Sequence, residues 1–228
     1  MATATRVGRV IGVLLLLQML GGLLVNFVLL APVFAGPGFL VNAAGHSLQI
    51  AVAALIGVAT GVISLAIAIT ASPVFRQCSR AMTLWLVALA VANLCLTAVE
   101  QTGVMSMLSL SEAYAKANAT DAGLFEALQV MVRSARTWAH YMNLIIAGGM
   151  LLVFYGILYR FALVPRVLAA FGLAAVILQI TAVAMPFFGQ GIVFPMLFPL
   201  ALTHLILALW LIAKGFPAAV PPGGQGNA

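Results

Sequence analysis

The strongest constraint on the fold is a long apolar stretch that carries a positive charge at each end. It runs from Ala135 to Arg166 and reads ARTWAHYMNLIIAGGMLLVFYGILYRFALVPR. Arg133 and Arg136 mark its start and Arg160 its end, and the run between them fits the roughly 20 apolar residues that a helix needs to cross a bilayer. We therefore predict a membrane-spanning helix with His140 about one turn inside the hydrocarbon.

The composition extends this prediction to the whole chain. Hydrophobic residues make up 64% of the 228 residues and charged residues only 6%, and the mean hydropathy is +1.20. Soluble domains carry about a quarter charged residues. Several spans of roughly 20 residues use nearly the entire chain and leave no room for a separate soluble domain. The predicted fold class is all-α: a polytopic membrane protein with a bundle of six transmembrane helices.

The boundaries of these helices follow from charges, prolines and glycines. The first apolar run follows Arg6 and Arg9 and exceeds the 7 to 15 residues typical of a cleaved signal peptide, so we predict an uncleaved first helix. Pro165 suits the first turn of the fifth helix. We predict a single domain over residues 1–216 and a disordered cytoplasmic tail over 217–228. The predicted helices are about 7–31, 47–71, 81–108, 136–160, 165–187 and 195–214.

The segment 111–134 differs from the rest of the chain because it is rich in charge. It holds three of the four acidic residues, alternating with Lys116 and Arg133. Such alternation is typical of a short amphipathic surface helix, and we predict one in an extracytoplasmic loop. The glycosylation sequon Asn118-Ala-Thr120 is interpreted as a chance match.

The positions of the cations predict the orientation. If the N-terminus is cytoplasmic, seven cations lie inside, whereas Lys116, Arg133 and Arg136 lie outside, which obeys the positive-inside rule. Both termini are therefore predicted to be cytoplasmic. This topology also accounts for the net charge of +6, so we predict no nucleic-acid partner. The seven inside are Arg6, Arg9, Arg76, Arg80, Arg160, Arg166 and Lys214.

The three histidines and one of the four acidic residues fall within or at the ends of the predicted spans, all in the outer half of the membrane or near its middle. An ionisable side chain in lipid costs a few kcal/mol, so it normally faces the bundle interior and finds a partner there. We predict one polar pocket that opens outward and is lined by further polar side chains. The four ionisable residues are His46, Glu100, His140 and His204, and the pocket-lining residues are Gln49, Gln101, Tyr141, Asn143 and Thr203.

Imidazole nitrogens together with a carboxylate oxygen are ligands that suit zinc. If three or four of these groups meet within about 2.2 Å of one atom, they hold a metal that activates water to hydrolyse a lipid-soluble substrate. Glu100 is then a ligand or the catalytic general base. Two histidines on facing helices are the alternative ligand set, for haem, in a slot provided by Gly148 and Gly149. The predicted metal ligands are His46, Glu100, His140 and His204.

Each of these residues also has a simpler interpretation. His46 suits a solvated helix end, and His140 beside Trp138 suits the aromatic belt at the membrane surface. His204 suits a hydrogen bond to a neighbouring helix, and Glu100 suits a hydrogen bond to an amide. No tight spacing such as HExxH occurs, so a metal site depends on convergence across helices.

Three classes of function therefore stay open at this point. The first is the metal or haem protein. The second is a small-solute or proton-coupled carrier in which Glu100 and the histidines titrate. Six helices are few for a carrier, and assembly into a homo-oligomer would enlarge the helix bundle. The third is a non-catalytic membrane subunit or scaffold whose polar zone only packs helices together. Whether the chain is an enzyme is left open, and the lipid bilayer is its one certain partner.

Three segments carry a resemblance to a known family. They are ARTWAHY, FYGILYRFALVPRVLAAFGL and ALWLIAKGF, of which LVPR and LWLIAKGF are the more distinctive parts. They resemble the bacterial membrane-protein family called domain of unknown function 4386, and the likeness runs from RVGRVIGVLLLL to Phe216. The resemblance implies a bacterial multi-pass membrane protein of about this length and supplies no activity or site residues. We predict that the protein lies in the bacterial inner membrane. It leaves the three histidines either as a site particular to a subgroup or as interchangeable polar lining.

Overall fold

The computed structural model describes residues 2–117 and 122–217, and within these residues it is helical and contains no strand. Eight α-helices follow one another in this part of the chain. They are α1 (Ala2–Leu23), α2 (Ala31–Phe34), α3 (Phe39–Asn42), α4 (Ser47–Cys78), α5 (Arg80–Lys116), α6 (Ala122–Arg160), α7 (Arg166–Ala184) and α8 (Phe198–Lys214). A π-helical segment, Leu24–Leu29, continues α1, and 3₁₀ turns occupy Ala43–His46, Met185–Phe188 and Phe194–Leu197.

Six helical stretches are long and apolar enough to cross a membrane, which confirms the predicted fold class of a multi-pass α-helical membrane protein. A chain of this kind contacts the lipid bilayer along its spans. The orientation of the termini stays a prediction. The stretches are Ala4–Phe34, Phe39–Cys78, Arg80–Lys116, Gly123–Arg160, Arg166–Phe188 and Phe194–Lys214.

The helices begin and end where local chemistry stops the α-helical pattern. Pro165, with an extended ψ of 126°, precedes α7, and Pro199 lies in the first turn of α8, where a missing N–H does no harm. Gly215 ends α8 at φ 68°, a conformation that L side chains rarely adopt. The carbonyl of the next residue, Phe216, then accepts a hydrogen bond from the Thr5 hydroxyl at 3.1 Å.

Helices α5 and α6 are longer than the predicted spans. They contain 37 and 39 residues, or about 55 and 59 Å at 1.5 Å per residue, whereas the hydrocarbon is about 30 Å thick. Residues 111–116 and 122–134 therefore belong to these two helices instead of a separate surface helix. Charged residues are compatible with helices that continue into water. The sequon and the predicted tail beyond Pro217 lie outside the described residues.

The contacts divide the chain into two compact units. The first unit contains the described residues of 1–17, 63–93 and 144–228, and the second contains those of 18–62 and 94–143. The single-domain organisation stays a prediction. In the core of the first unit, the Phe75 ring packs against Phe154 and Phe216, each at a centroid distance of 5.8 Å.

Glycines let helix backbones approach closely in the first unit. A Cβ on Gly12 would lie 2.7 Å from the Ala208 carbonyl oxygen, and a Cβ on Gly172 would lie 2.1 Å from the ring of Tyr155. Tyr155 itself is fully buried. The Tyr155 ring of α6 therefore packs directly against the backbone of Gly172 on α7.

The second unit has its own apolar core and its own close approach. Gly57 and Gly61 of α4 lie against the side chains of Gln101 and Thr97 of α5, at 2.6 and 3.2 Å from the Cβ that each glycine lacks. The GxxxG pair of the sequence therefore marks a helix contact within this unit. The core residues are Val25, Leu30, Val33, Phe39, Ala43, Ile50, Ala53, Val104, Met107 and Leu108.

We expect Gly172→Ala to destabilise the protein by about 1–3 kcal/mol, because its methyl group would overlap the buried Tyr155 ring. The measurement is thermal unfolding in mild detergent, followed by circular dichroism. The matched control is Gly149→Ala on α6, whose new Cβ meets its nearest neighbour, Leu89, at 4.0 Å. An equal melting temperature for the two variants would contradict the close packing of the Tyr155 ring against Gly172.

Candidate functional site

The second unit contains a cluster of polar side chains that is centred on Glu100. Its Oε1 accepts a hydrogen bond from His140 Nδ1 at 2.9 Å and forms an ion pair with Arg136 Nη2 at 3.7 Å. Its Oε2 accepts a hydrogen bond from Asn143 Nδ2 at 3.0 Å, and this amide also reaches the Thr97 hydroxyl at 3.2 Å. We call these five residues the Glu100 cluster.

Helical spacing explains why these residues meet. Arg136, His140 and Asn143 follow one another at four and three residues on α6, which places them on one face of the helix. Thr97 and Glu100 are three residues apart on α5 and share a face in the same way. The cluster is therefore the contact of two polar helix faces, three side chains from α6 and two from α5.

The burial of Glu100 makes its partners necessary. The residue is 7% exposed, and a buried carboxylate without a partner would cost several kcal/mol. An ionised carboxylate can only accept hydrogen bonds, so His140 Nδ1 must carry the proton that joins the two. His140 is the more open member, with 30% of its side chain exposed, compared with 16% for Arg136. The imidazole thus connects the buried carboxylate with the surface.

The Arg136 side chain is held in position by contacts to its guanidinium and to its stem. The Phe34 ring lies over its guanidinium at 5.4 Å, within the range of a cation–π contact. Gly103 on α5 makes room for its stem, since a Cβ there would lie 3.0 Å from Arg136 Cβ. The Nε atom is buried and has no hydrogen-bond partner among the described residues. A guanidinium offers five N–H donors, so Arg136 can bind a further hydrogen-bond acceptor.

His46 and Gln49 lie elsewhere in the second unit and serve the backbone. His46 Nδ1 donates to the carbonyl of Asn42 at 2.9 Å, one turn earlier. Gln49 Nε2 donates to the carbonyl of Leu29 at 2.6 Å, at the end of the π-helical segment. Both residues line a shallow groove with Val28 and Leu48. The simpler interpretation of His46 as a helix-end residue fits this geometry.

His204 and Thr203 lie in the first unit. His204 Nδ1 is 3.4 Å from the Tyr155 hydroxyl, and the two rings meet edge to face at 5.7 Å. Thr203 donates to the Pro199 carbonyl of its own helix at 2.7 Å. His204 therefore has the neighbouring-helix hydrogen bond that the simpler interpretation expects, and its partner is an aromatic residue that sequence reasoning did not select.

The remaining two predicted lining residues take different positions in the second unit. The Tyr141 ring contacts Trp138 at 5.7 Å and His140 at 6.2 Å. Gln101 is buried against Gly57, and its Oε1 has no hydrogen-bond partner among the described residues. Of the nine predicted site residues, the structure joins Glu100, His140 and Asn143 by hydrogen bonds.

The predicted metal and haem sites gain no support from this geometry. Within residues 2–117 and 122–217, no group of three or more His, Cys, Asp or Glu side chains is arranged to hold a metal ion. Glu100 and His140 supply two ligand side chains, and the positively charged Arg136 beside them repels a cation. The slot expected at Gly148 is filled by Ile180, whose Cγ1 would lie 2.5 Å from a Cβ there. Both sites stay predictions.

Arg136 is, with Thr97, one of the two cluster members that sequence reasoning missed as site residues. It was interpreted only as a topological marker, yet its spacing from His140 and Asn143 is a signal that the sequence already contains. Tyr155 was missed for a different reason. Nothing near it in the sequence distinguishes it from other aromatic residues of an apolar helix, and only packing brings it to His204.

We expect Asn143→Leu to lower the free energy of unfolding by about 1–3 kcal/mol, since Glu100 Oε2 loses its hydrogen bond while buried. Thr137→Val is the control, because Thr137 bonds only to the Arg133 carbonyl of its own helix. Thermal unfolding of both variants and of Glu100→Gln, alone and combined with Asn143→Leu, gives a double-mutant cycle. Additive effects would show that residues 100 and 143 are not coupled.

Comparison with known proteins gives a family but no activity. No curated protein and no solved structure matches the chain significantly. One family model matches residues 10–215, nearly the entire chain, and its description is "Domain of unknown function (DUF4386)". This agrees with the resemblance seen in the sequence. The protein is therefore a multi-pass membrane protein that belongs to the DUF4386 family.

Proposed function

We propose that this protein is a small proton-coupled carrier in which Glu100 and His140 bind and release the transported proton. The observation that carries the proposal is the hydrogen bond of 2.9 Å between a buried carboxylate and a partly exposed imidazole. Ionisable residues within membrane helices mark ion and proton pathways more often than they serve packing alone. Chains of Glu and His are a common form of proton relay in transporters.

The protonation chemistry of the pair follows from its geometry. In the resting state His140 donates its Nδ1 proton to the Glu100 carboxylate, and Nε2 keeps a lone pair. A proton that arrives at Nε2 makes an imidazolium, which the carboxylate stabilises. Transfer of the Nδ1 proton to Oε1 then leaves a neutral carboxylic acid and a neutral imidazole. The pair can thus move one proton from the exposed ring to the buried oxygen.

The predicted orientation gives this relay a direction. With both termini in the cytoplasm, α5 begins at the inner surface at Arg80, and Glu100 lies about 30 Å further along the helix. That distance is near the outer edge of the hydrocarbon. His140 then opens toward the exterior. We assign the protein to the inner membrane of a bacterium on the same grounds of charge distribution and family resemblance.

The competing functions explain less of the geometry. A scaffold needs no ion pair, because apolar side chains of similar volume often hold helices together equally well or better. A zinc enzyme needs three or four ligands, and the Glu100 cluster supplies one carboxylate and one imidazole beside a positive charge. A relay needs only two protonatable groups in contact, of which one is partly exposed.

We expect this pair to take up a proton reversibly as the pH is lowered. Infrared difference spectra of the purified protein should show a carboxylic-acid band that appears on acidification and is absent in Glu100→Gln. His140→Leu should alter the pH at which it appears, whereas Arg133→Gln, at an exposed position about two turns earlier on α6, should not. If the wild-type protein does not show this band, the carrier proposal is wrong, and the Glu100 cluster is the buried ion pair of a scaffold.

The same variants then test transport. Liposomes with an inside-negative potential and a trapped pH dye are exposed to a panel of sugars, amino acids, carboxylates and amines. We expect one class to cause acidification with wild type and with Arg133→Gln, and none to do so with Glu100→Gln. Elemental analysis of the same preparations checks the metal hypothesis, since stoichiometric zinc that is lost in His140→Leu would favour an enzyme over a carrier.

A further inference from the structure

We infer that Arg136 is the binding site of an oxyanion, a carboxylate or a phosphate, and that the site binds more tightly when the Glu100–His140 pair has taken up a proton. This inference names the substrate class of the proposed carrier and rests on that function for its dependence on pH. The site itself rests on separate observations about Arg136.

The first observation is that the guanidinium is held in place but its hydrogen-bonding capacity is not used up. The Phe34 ring covers it at 5.4 Å, and Gly103 leaves room for its stem, since a Cβ on that glycine would lie 3.0 Å from Arg136 Cβ. Its ion pair with Glu100 is 3.7 Å long. Its buried Nε has no hydrogen-bond partner among the described residues. Buried donors are nearly always satisfied, and an orphan calls for an acceptor.

The second observation is the chemistry of the missing partner. A guanidinium presents a planar fork that matches the two oxygens of a carboxylate or phosphate. Glu100 contacts it through a single oxygen, Oε1, and this oxygen also accepts the bond from His140. Among the described residues, no carboxylate therefore binds the fork through both of its oxygens. An exogenous oxyanion is the ligand that fits the remaining donors.

The coupling to protons follows from counting charge. With Glu100 ionised, Arg136 charged and His140 neutral, the cluster has no net charge. One added proton makes it +1, whether it lies on His140 or on Glu100, and a positive site attracts an anion more strongly. By linkage, the bound anion must favour the protonated pair by the same factor. Proton and anion would then cross together, as symport requires.

The other groups that face the cluster do not change this count. On α4, Gly57 and Gly61 lie against the side chains of Gln101 and Thr97, and neither glycine titrates. From the segment Ala31–Phe34 the contact is an aromatic ring. On α6, the Tyr141 ring contacts the His140 ring at a centroid distance of 6.2 Å.

The test uses benzoate as the soluble carboxylate, because it is ionised throughout the pH range. Equilibrium binding of labelled benzoate is measured on the full-length protein in a neutral maltoside detergent at about pH 5.5 and pH 8. We expect wild type to bind about tenfold more tightly at the lower pH. Arg133→Gln removes an exposed charge from the same helix and should bind like wild type.

Variants of the cluster separate the site from its coupling. Arg136→Gln should lose binding at both pH values. Arg136→Lys keeps the charge but lacks the guanidinium fork and the Nε donor, so it should bind more weakly than wild type even where it folds normally. Glu100→Gln should bind tightly at both pH values, because its side chain is always neutral. Melting temperatures show which variants are folded.

A phospholipid headgroup is the other source of an oxyanion at this site. Native mass spectrometry with added phosphatidylglycerol or phosphatidylcholine should then show a lipid that wild type retains and Arg136→Gln loses. Binding of either source supports the oxyanion site. Absence of both, or equal binding by wild type and Arg136→Gln, overturns it.

The outcomes also distinguish this inference from the proposed function. A wild type that shows the infrared band of a protonated carboxyl but binds no oxyanion keeps the proton relay and overturns the Arg136 site. Benzoate binding that is equal at both pH values, in a protein without that band, keeps the site and overturns both the coupling and the carrier.

Discussion

The hydrocarbon of a bilayer offers no hydrogen-bond partner, so each polar group within it must find one inside the protein. This requirement explains the helical architecture and many of the side-chain contacts in this chain. Where the helical pattern changes, side chains serve the exposed backbone: Gln49 binds the carbonyl of Leu29 at the end of the π-helical segment, and Ser111 links Ala44 and Leu40. In the Glu100 cluster, the group that needs partners inside the protein is a charged carboxylate.

A buried ion pair is not an efficient way to hold helices together, because removing two charges from water costs about as much as their attraction returns. The Glu100 carboxylate offsets part of this cost by accepting from His140 and Asn143 as well as pairing with Arg136. A buried carboxylate that is hydrogen-bonded to a partly exposed imidazole has a route to a proton, which a carrier needs and a scaffold does not.

The six spans could be predicted from the sequence because length and hydropathy alone define them. The contacts between spans were harder to predict. A helix that is apolar on all sides gives no signal for its rotation, so nothing indicated that His204 belongs with Tyr155 in one unit while His140 belongs with Glu100 in the other. The part that could have been predicted is the face of α6, where the spacing of Arg136, His140 and Asn143 defines a polar stripe. The metal-site prediction depended on residue type and not on this spacing.

The stripe also suggests why an arginine, instead of a lysine, stands beside Glu100. An ammonium is a compact point charge that would sit directly on the carboxylate, whereas a guanidinium can contact one oxygen at 3.7 Å and keep other donors for a second acceptor. Phe34 and Gly103 hold that geometry from opposite parts of the side chain, the ring at the guanidinium and the glycine at the stem. A residue needed only to neutralise Glu100 would not require either contact. Their presence is the reason to regard Arg136 as a ligand-binding residue in a cluster whose net charge depends on the protonation of the Glu100–His140 pair.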